Sequence, residues 1–426
     1  MDYKNTLEFA KHLDSKDELK EFRKKFYIPL IKGKESIYFT GNSLGLQSKN
    51  VQEVVLDELE DWANFGVEGH TNARNPWLYY NEIFPELLTE IVGGKIEEIV
   101  VMNQLTTNLH LMLTTFFRPT KERFKIICEA KAFPSDQYAF ASQVKLHGLK
   151  PEECIIEIEP REGKHSIENI DVINAIKEHG NSVALVIIGG VSYYTGQVFN
   201  MKEITKAAHD QGAYCGFDLA HGAGNIPLEL HDWQVDFACW CTYKYLNSGP
   251  GAVGGVFIHE NHISNKELLR LAGWWGTNKE TRFKMEKDFD PIPTAEGWQL
   301  SNAPVLSMAA HKAALEVFNE AGMHKLLAKS KLLTDYLIFI LSEINKNYET
   351  KVLEIITPLN EGEYGCQISM IINNNGKLVF EELKKEGVIA DWREPDVIRV
   401  APVPLYNTFE DVYNFGERLK NAINKF

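Results

Sequence analysis

Val51, Val54, Val55, Leu59 and Trp62 recur at helical spacing, which predicts an amphipathic helix over about 49–65, directly after a turn-rich TGNSLG segment. From about residue 96 to 260 the pattern changes to short, β-branched apolar runs separated by helical ones. The runs are Ile99–Met102, Phe124–Cys128, Cys154–Ile158, Val183–Ile188, Ala213–Phe217, Phe237–Cys241 and Val253–Ile258. Strands of this kind alternating with helices predict an α/β fold, a large, doubly wound, mostly parallel sheet of about seven strands. Beyond Pro304 the order becomes two long helices, a strand at Cys366–Ile372, a helix near 378–386, strands around Val388–Asp391 and Val397–Val400, and a closing helix from Phe409. That order suits a small α+β domain. The chain therefore divides into an N-terminal segment, 1–50, packing with the small domain, a large domain, 51–304, and a small C-terminal domain, 305–426. Without a low-complexity linker, the two domains are expected to share a tight interface.

Composition narrows the classes of function. The chain of 426 residues is 44% hydrophobic and 24% charged, ordinary for a globular protein and long enough for two cores. A formal net charge of −14 opposes the electrostatics that nucleic-acid binders depend on. The six cysteines, at 128, 154, 215, 239, 241 and 366, have no framework spacing and read as reduced, buried thiols. MDYKNTLEFAKHLDSKDELK lacks the apolar core of a secretory signal, and the most apolar stretch, Leu332–Ile344, contains Asp335 and is too short to span a bilayer. A cytoplasmic protein with neither nucleic acid nor membrane as partner is expected.

Ligands in open α/β sheets bind outside the carboxyl ends of the strands, so the polar residues that follow each apolar run are the candidates for chemistry. After Val100–Met102 comes Asn103-Gln-Leu-Thr-Thr-Asn-Leu-His110, where Thr106 is placed to cap a helix and help hold a phosphate. After Phe124–Cys128 comes Phe133-Pro-Ser-Asp136, with Pro134 and Ser135 placed to start another helix. Asp218 and His221 follow Ala213–Phe217, and Tyr243 and Lys244 follow Phe237–Cys241. A carboxylate that keeps a pyridine nitrogen protonated and a lysine that anchors an aldehyde are the pair pyridoxal 5′-phosphate (PLP) chemistry needs. Taken alone, a lysine after a strand is far more often a solvated surface residue; the spacing and the order of its neighbours shift the reading of Lys244 toward the cofactor. Ser248-Gly-Pro-Gly-Ala-Val-Gly-Gly255 fits either a plain turn or the close backbone approach of a buried cofactor lysine.

FDLAHGAGN, DFACWCTYKYLNSGPG, FPSD, Tyr194-Thr-Gly-Gln197 and IRVAPVPLYN, in this order of kinds and from about residue 36 to the C-terminus, resemble the kynureninases, members of the fold-type-I, aminotransferase-like PLP enzymes. The resemblance implies that Lys244 holds PLP as a Schiff base and moves the Cα proton, and that Asp218 pairs with the pyridinium nitrogen beside Asp136. It implies that Phe133 stacks on the ring, that Leu105, Thr106, Pro134, Ser135 and Tyr243 belong to the cofactor site, and that Tyr243 is a phosphate ligand that also relays protons. Trp274 and Asn302 match cofactor-site positions which in this family come from the second subunit, so a homodimer with shared active sites is implied. His221 matches a cofactor-contacting position, with a structural histidine as the other reading. Arg399 would clamp the substrate α-carboxylate, with a buried ion pair as its alternative. His70 and Asn302 match aryl-pocket positions that would bond a 3-hydroxyl, favouring 3-hydroxykynurenine. Gly189 departs from some relatives, which carry a serine there.

The reaction implied is hydrolytic Cβ–Cγ cleavage of an aryl-ketone amino acid to alanine and an anthranilate, a step of tryptophan catabolism and NAD biosynthesis. A cysteine desulfurase would need a mobile-loop cysteine beyond the lysine, where only Cys366 lies, in an apolar run. An aminotransferase, or a cofactor-free relative, is the further alternative; the latter is disfavoured by the intact Lys244, Asp218, Tyr243 and Arg399. No metal site is expected: His259-Glu-Asn-His262 reads as a surface turn and Cys239-x-Cys241 as one face of a buried strand.

Overall fold

All seven apolar runs become strands of one sheet in the computed structural model, which describes residues 2–426. They are β1 (Ile99–Met102), β2 (Lys125–Glu129), β3 (Ile155–Ile158), β4 (Val183–Gly189), β5 (Tyr214–Asp218), β6 (Phe237–Cys241) and β7 (Gly254–Ile258). Their order is β1-β7-β6-β5-β4-β2-β3, with β7 antiparallel to both neighbours and every other pairing parallel. Successive residues feed opposite faces: Val186, Ile188, Ala238 and Trp240 enter one apolar cluster, and Leu185, Ile187, Phe237 and Cys239 another. Both faces are therefore covered, as a doubly wound sheet requires. From β2 the chain steps outward to β3 and then returns to place β4 on the other side of β2, so the winding reverses between β2 and β4. All six cysteines are buried and unpaired.

A second, antiparallel sheet of four strands joins β8 (Leu353–Ile355), β9 (Ile368–Ile372), β10 (Asp391–Arg393) and β11 (Val397–Val400) in the order β8-β9-β11-β10. The chain's first helix, α1 (Leu7–Lys16), contributes Ala10 and Leu13 to the apolar cluster under this sheet. Asp14 at its end accepts the Phe409 and Glu410 N–H groups at 2.8 and 2.9 Å, which satisfies the open amides at the start of the closing helix, Phe409–Lys425. Ile37–Tyr38 pairs in parallel with Val388–Ile389. The helix Val305–Ala321 contributes Met308, Leu315 and Phe318 to the first sheet's cluster. In the next helix, Met323–Lys346, Leu326 still belongs there, whereas Leu333 and Leu337 belong to the second cluster.

The predicted helix at 49–65 is α2 (Val51–Phe65); Val54 and Val55 pack against the large sheet's cluster, but the far part of its apolar stripe does not. Glu58 and Asp61 are buried, while Leu59 is 39% and Trp62 60% exposed. Glu58 accepts from Asn75 and Trp77, and Asp61 from the Arg74 backbone and guanidinium, so the acidic side fastens the following loop.

Lys329 and Asp17 form an ion pair at 2.7 Å, with side chains only 7% and 5% exposed, which ties the N-terminal segment to helix Met323–Lys346. Removing one partner strands the other charge in a dry site. Lys329→Ala is expected to lower stability by roughly 3 kcal/mol, and Asp17→Asn in the same chain to recover part of it, by urea unfolding.

Candidate active site

At the carboxyl edge of the large sheet lies a cavity of about 410 Å³. The ends of parallel strands and the starts of the helices after them supply its walls, because a strand that stops at the edge leaves its next residue pointing over it. Asp218 ends β5, and its Oδ1 accepts the Ala220 N–H at 2.7 Å. Asp136 lies in the first turn of α3 (Pro134–Leu146), which begins with Pro134 at its first position as predicted. Burial, followed by the charges of Asp218 and Glu129, pushes the Asp136 carboxyl well above the usual range. Burial also raises Asp218, opposed by the Ala220 N–H and the Lys244 ammonium. This arrangement makes Asp136 the neutral acid and Asp218 the carboxylate it supports.

Lys244 follows β6 on a loop closed by the Asn247 N–H donating to the Lys244 carbonyl at 3.0 Å. The glycine-rich stretch behind it has a packing reason at Gly254, where a Cβ would stand 2.9 Å from the Trp240 carbonyl and 3.2 Å from the Leu105 nitrogen. Lys244 Nζ is 3.1 Å from His221 Nε2. Burial and then the nearby ammonium drive His221 well below its ordinary value, so the ring is neutral and accepts from the lysine. His221 Nδ1 is buried with no partner. Tyr243 also lines the cavity, its phenol raised by burial. Phe133 is 44% exposed and meets Tyr193 edge-on, with ring centroids 5.3 Å apart, leaving a face open to the cavity.

Arg399, on β11, is fully buried and reaches the same cavity. It lines the site and also forms the ion pair given as its alternative, with Nε 3.1 Å from Asp391 Oδ1 and Nη2 2.9 Å from Oδ2. Its Nη2 has no well-aligned hydrogen-bond partner.

Leu105, Thr106 and Ser135 line the cavity too, but Thr106 does not cap its helix. That helix, Leu105–Phe116, starts one residue before Thr106, after Gln104, whose side chain makes no capping bond. The first-turn amides are thus open toward the cavity, the form of an anion site. Pro134 starts its helix without lining the cavity. Trp274, Asn302 and His70 are not brought to this cavity by their own chain. Trp274 is 43% exposed and donates to the Arg282 carbonyl, and Asn302 lines a separate hollow of about 270 Å³ that meets the first at Gln104. His70 rests on the Val67 carbonyl at 3.0 Å and the edge of Trp77.

Sequence reasoning missed Glu129, Tyr193 and Arg393, all in the cavity wall. Glu129 directly follows the second apolar run, so the rule that singled out Asp218 would have found it. Arg393 carried no local signal. His259-Glu-Asn-His262 is also corrected: His259 is 4% exposed and gathers with Glu98 and His231 closely enough to hold a metal ion. Their atoms are already engaged, however. Glu98 Oε1 takes His231 Nδ1 and the Glu260 N–H, and His259 bonds the His231 carbonyl and the Asn261 N–H.

The aminotransferase class-V family model matches residues 37–358 and the kynureninase C-terminal domain model residues 326–419. A cysteine desulfurase from Thermococcus onnurineus NA1 has a similar structure, with TM-score 0.74 at 18% identity over 92% of this chain and 95% of that one. A cystine C–S lyase gives 0.75 at 16% identity over 91% and 97%. Fold and site together define a fold-type-I, PLP-dependent enzyme. The curated kynureninases of Flavobacterium psychrophilum, 57% identical over 99% of both chains, and of Mus musculus, 47% identical over 97% of this chain and 93% of that one, narrow the class. The chain belongs to the kynureninase family.

The residues present fit PLP. Two buried aspartates with raised protonation face a cavity whose nearest cation is Lys244, and a protonated ring nitrogen is the second cation they lack. Open helix amides at Leu105 and Thr106 fit its phosphate, and the free face of Phe133 its ring. Asp218→Asn is expected to weaken PLP binding roughly 10–100-fold, the loss when a charge-assisted hydrogen bond of about 1.5–3 kcal/mol is removed, as measured by equilibrium dialysis.

Proposed function

We propose that the protein hydrolyses the Cβ–Cγ bond of L-kynurenine, L-3-hydroxykynurenine or both, releasing L-alanine and anthranilate or 3-hydroxyanthranilate. One observation carries this reading: Lys244, the Asp136–Asp218 pair and Arg399 face one cavity, in a chain 57% identical along 99% of its length to a kynureninase. PLP, when bound, supplies an electron sink next to Cα. The rest is work for the chain's own residues. Lys244 holds the cofactor by its amine and moves the Cα proton, with neutral His221 as the neighbour that accepts a hydrogen bond from its ammonium. Asp218, supported by Asp136, keeps the ring nitrogen protonated. Leu105 and Thr106 offer backbone amides to the phosphate, Tyr243 its phenol, and Ser135 its hydroxyl. Phe133 holds the ring plane. Arg399 receives the substrate α-carboxylate, for which its buried guanidinium is matched in shape and charge.

The further details belong to the same reading. The exposed apolar side of α2, with Leu56 52% and Trp62 60% exposed, and the outward Trp274 and Phe283, 43% and 60%, suit burial against a second copy. In such a homodimer Trp274 and Asn302 of a second copy complete the cofactor site, and His70 with Asn302 forms the aryl pocket that favours the 3-hydroxylated substrate. No described helix is long and apolar enough to cross a membrane, and we read the protein as cytoplasmic. We read 1–50 as an arm packing with the small domain, 51–304 as the cofactor-binding domain and 305–426 as the small domain, a division supported by the two separate sheets.

Two experiments test this. Purified protein with PLP and kynurenine is expected to yield anthranilate and alanine in equal amounts, with borohydride labelling residue 244 and Lys244→Ala yielding neither; transamination products instead would exclude the reaction. Sedimentation equilibrium is expected to give about twice the chain mass of 48.5 kDa, reverting toward one chain in Trp62→Asp.

A further inference from the structure

Glu129 is half-buried, and it is the one carboxyl in the cavity wall that the reaction as described leaves unused. It ends β2 at the point where the winding of the sheet reverses, beside Gly189 at the end of β4. Its Oε1 accepts the Gly189 N–H at 3.0 Å, and its Oε2 is shielded from solvent with no partner at all. A buried carboxylate oxygen left bare is costly unless water or a proton reaches it. The fit depends on glycine, since a Cβ at position 189 would stand 2.9 Å from Oε1.

A second cavity of about 590 Å³ adjoins the first and shares Glu129, Tyr193 and Arg393 with it. It lies between the loops after β3 and β4 and the segment that follows β10, and Lys131, Lys164, His165 and Asp396 also line it. Glu129 therefore separates the reaction cavity from a polar one. The reaction cavity whose wall it shares also carries Asp136, Asp218, His221, Tyr243, Lys244 and Arg399; the adjoining one carries the charged groups just named and Glu394, with Arg393 in both walls.

The proton balance of the proposed hydrolysis gives this position a task. One water is consumed: its oxygen and one hydrogen become the hydroxyl of the aryl carboxylic acid, and its other hydrogen replaces the aroyl group on Cβ. The C–C bond electrons stay with the alanine carbon. The aryl acid then ionises, so one proton leaves the site in each turnover, with the products still in place.

We propose that Glu129 is a proton-relay residue that takes up this proton and passes it to the adjoining cavity. The inference rests on the hydrolytic reading above. It requires Glu129 to gain and lose a proton at working pH, and burial, only partly offset by the Gly189 N–H, raises its carboxyl to about 7. The accepting form is the carboxylate, so the relay operates above that value and fails as pH falls through it.

Glu129→Gln keeps the shape and the acceptor for Gly189 but carries no proton. It is expected to lower kcat about tenfold and to abolish the acid limb of the kcat–pH profile near pH 7, with KM unchanged. Infrared titration of the protein without substrate is expected to show a carboxyl that titrates near neutrality and disappears in Glu129→Gln. Gly189→Ala, which crowds the carboxyl without removing it, is expected to move the midpoint of the acid limb, and serves if the glutamine variant does not fold. Unaltered kcat and an unaltered acid limb in Glu129→Gln, in an enzyme that does release anthranilate, would overturn the relay alone. No anthranilate from the unaltered enzyme would overturn the hydrolytic reading and the relay with it.

Discussion

Two buried aspartates held side by side, with the half-buried Glu129 next to them, are the constraint on which the rest of the molecule depends. Glu129, Asp136 and Asp218 come from a strand end, a helix start and another strand end, and a rigid sheet holds them where they cannot move apart. Burial raises all three, the charges of Asp218 and Glu129 raise Asp136 further, that of Asp218 raises Glu129, and a hydrogen bond from Asp136 steadies Asp218. A protein stabilised for its own sake would replace such a cluster by apolar side chains. Keeping it means the favourable partner arrives from outside, and a cationic ring nitrogen is that partner. The cost of holding these acids close would be relieved by such a ring nitrogen, and the same acids would be the field that keeps it protonated.

The same parallel-strand architecture explains what the sequence made legible. Buried strands of a doubly wound sheet read as continuous apolar runs, and each of the seven was placed within a residue of its observed start. Residues that follow such runs are fixed by backbone geometry, so Asp218, Asp136, Tyr243 and Lys244 fell together. Contributions from elsewhere obey no such rule. Arg393 sits on a short strand of the second sheet, and β8, three residues on the edge of that sheet, is too brief to show a period. The spacing in α2 correctly gave a helix, but spacing cannot say how much of a stripe is buried; there Val54 and Val55 pack inward, the acids anchor a loop, and Leu59 and Trp62 face outward. His259 illustrates the converse, a polar-looking turn drawn inward because Glu98 and His231 supply partners that only the tertiary fold brings near.

The two sheets are also joined through the site itself. The Tyr193 carbonyl accepts from both Arg399 and Gln367, Ser369 donates to the Tyr194 carbonyl, and Thr357 to that of Thr195. The loop after β4 is thereby fastened to the small sheet by bonds that use its backbone, whatever its side chains. The distance from Arg399 to Lys244, which a substrate must span from α-carboxylate to amine, is set by this loop and not by a flexible tether.

That fastening bears on how Arg399 can serve a substrate while already paired. Its Nε and Nη2 lie against Asp391, its Nη1 is held by Tyr193, and Asp391 holds Arg393 as well. A lone buried guanidinium would have to lose its water to bind a carboxylate. Here Asp391 offsets part of that desolvation, and the proton on Nη2 that lacks an aligned acceptor is free to meet a ligand. A second carboxylate then meets an arginine fixed in plane, beside the additional charge of Arg393 in the same wall. The ion pair with Asp391 and a role in holding a carboxylate are thus compatible in one side chain, because the pair fixes the guanidinium without using every donor.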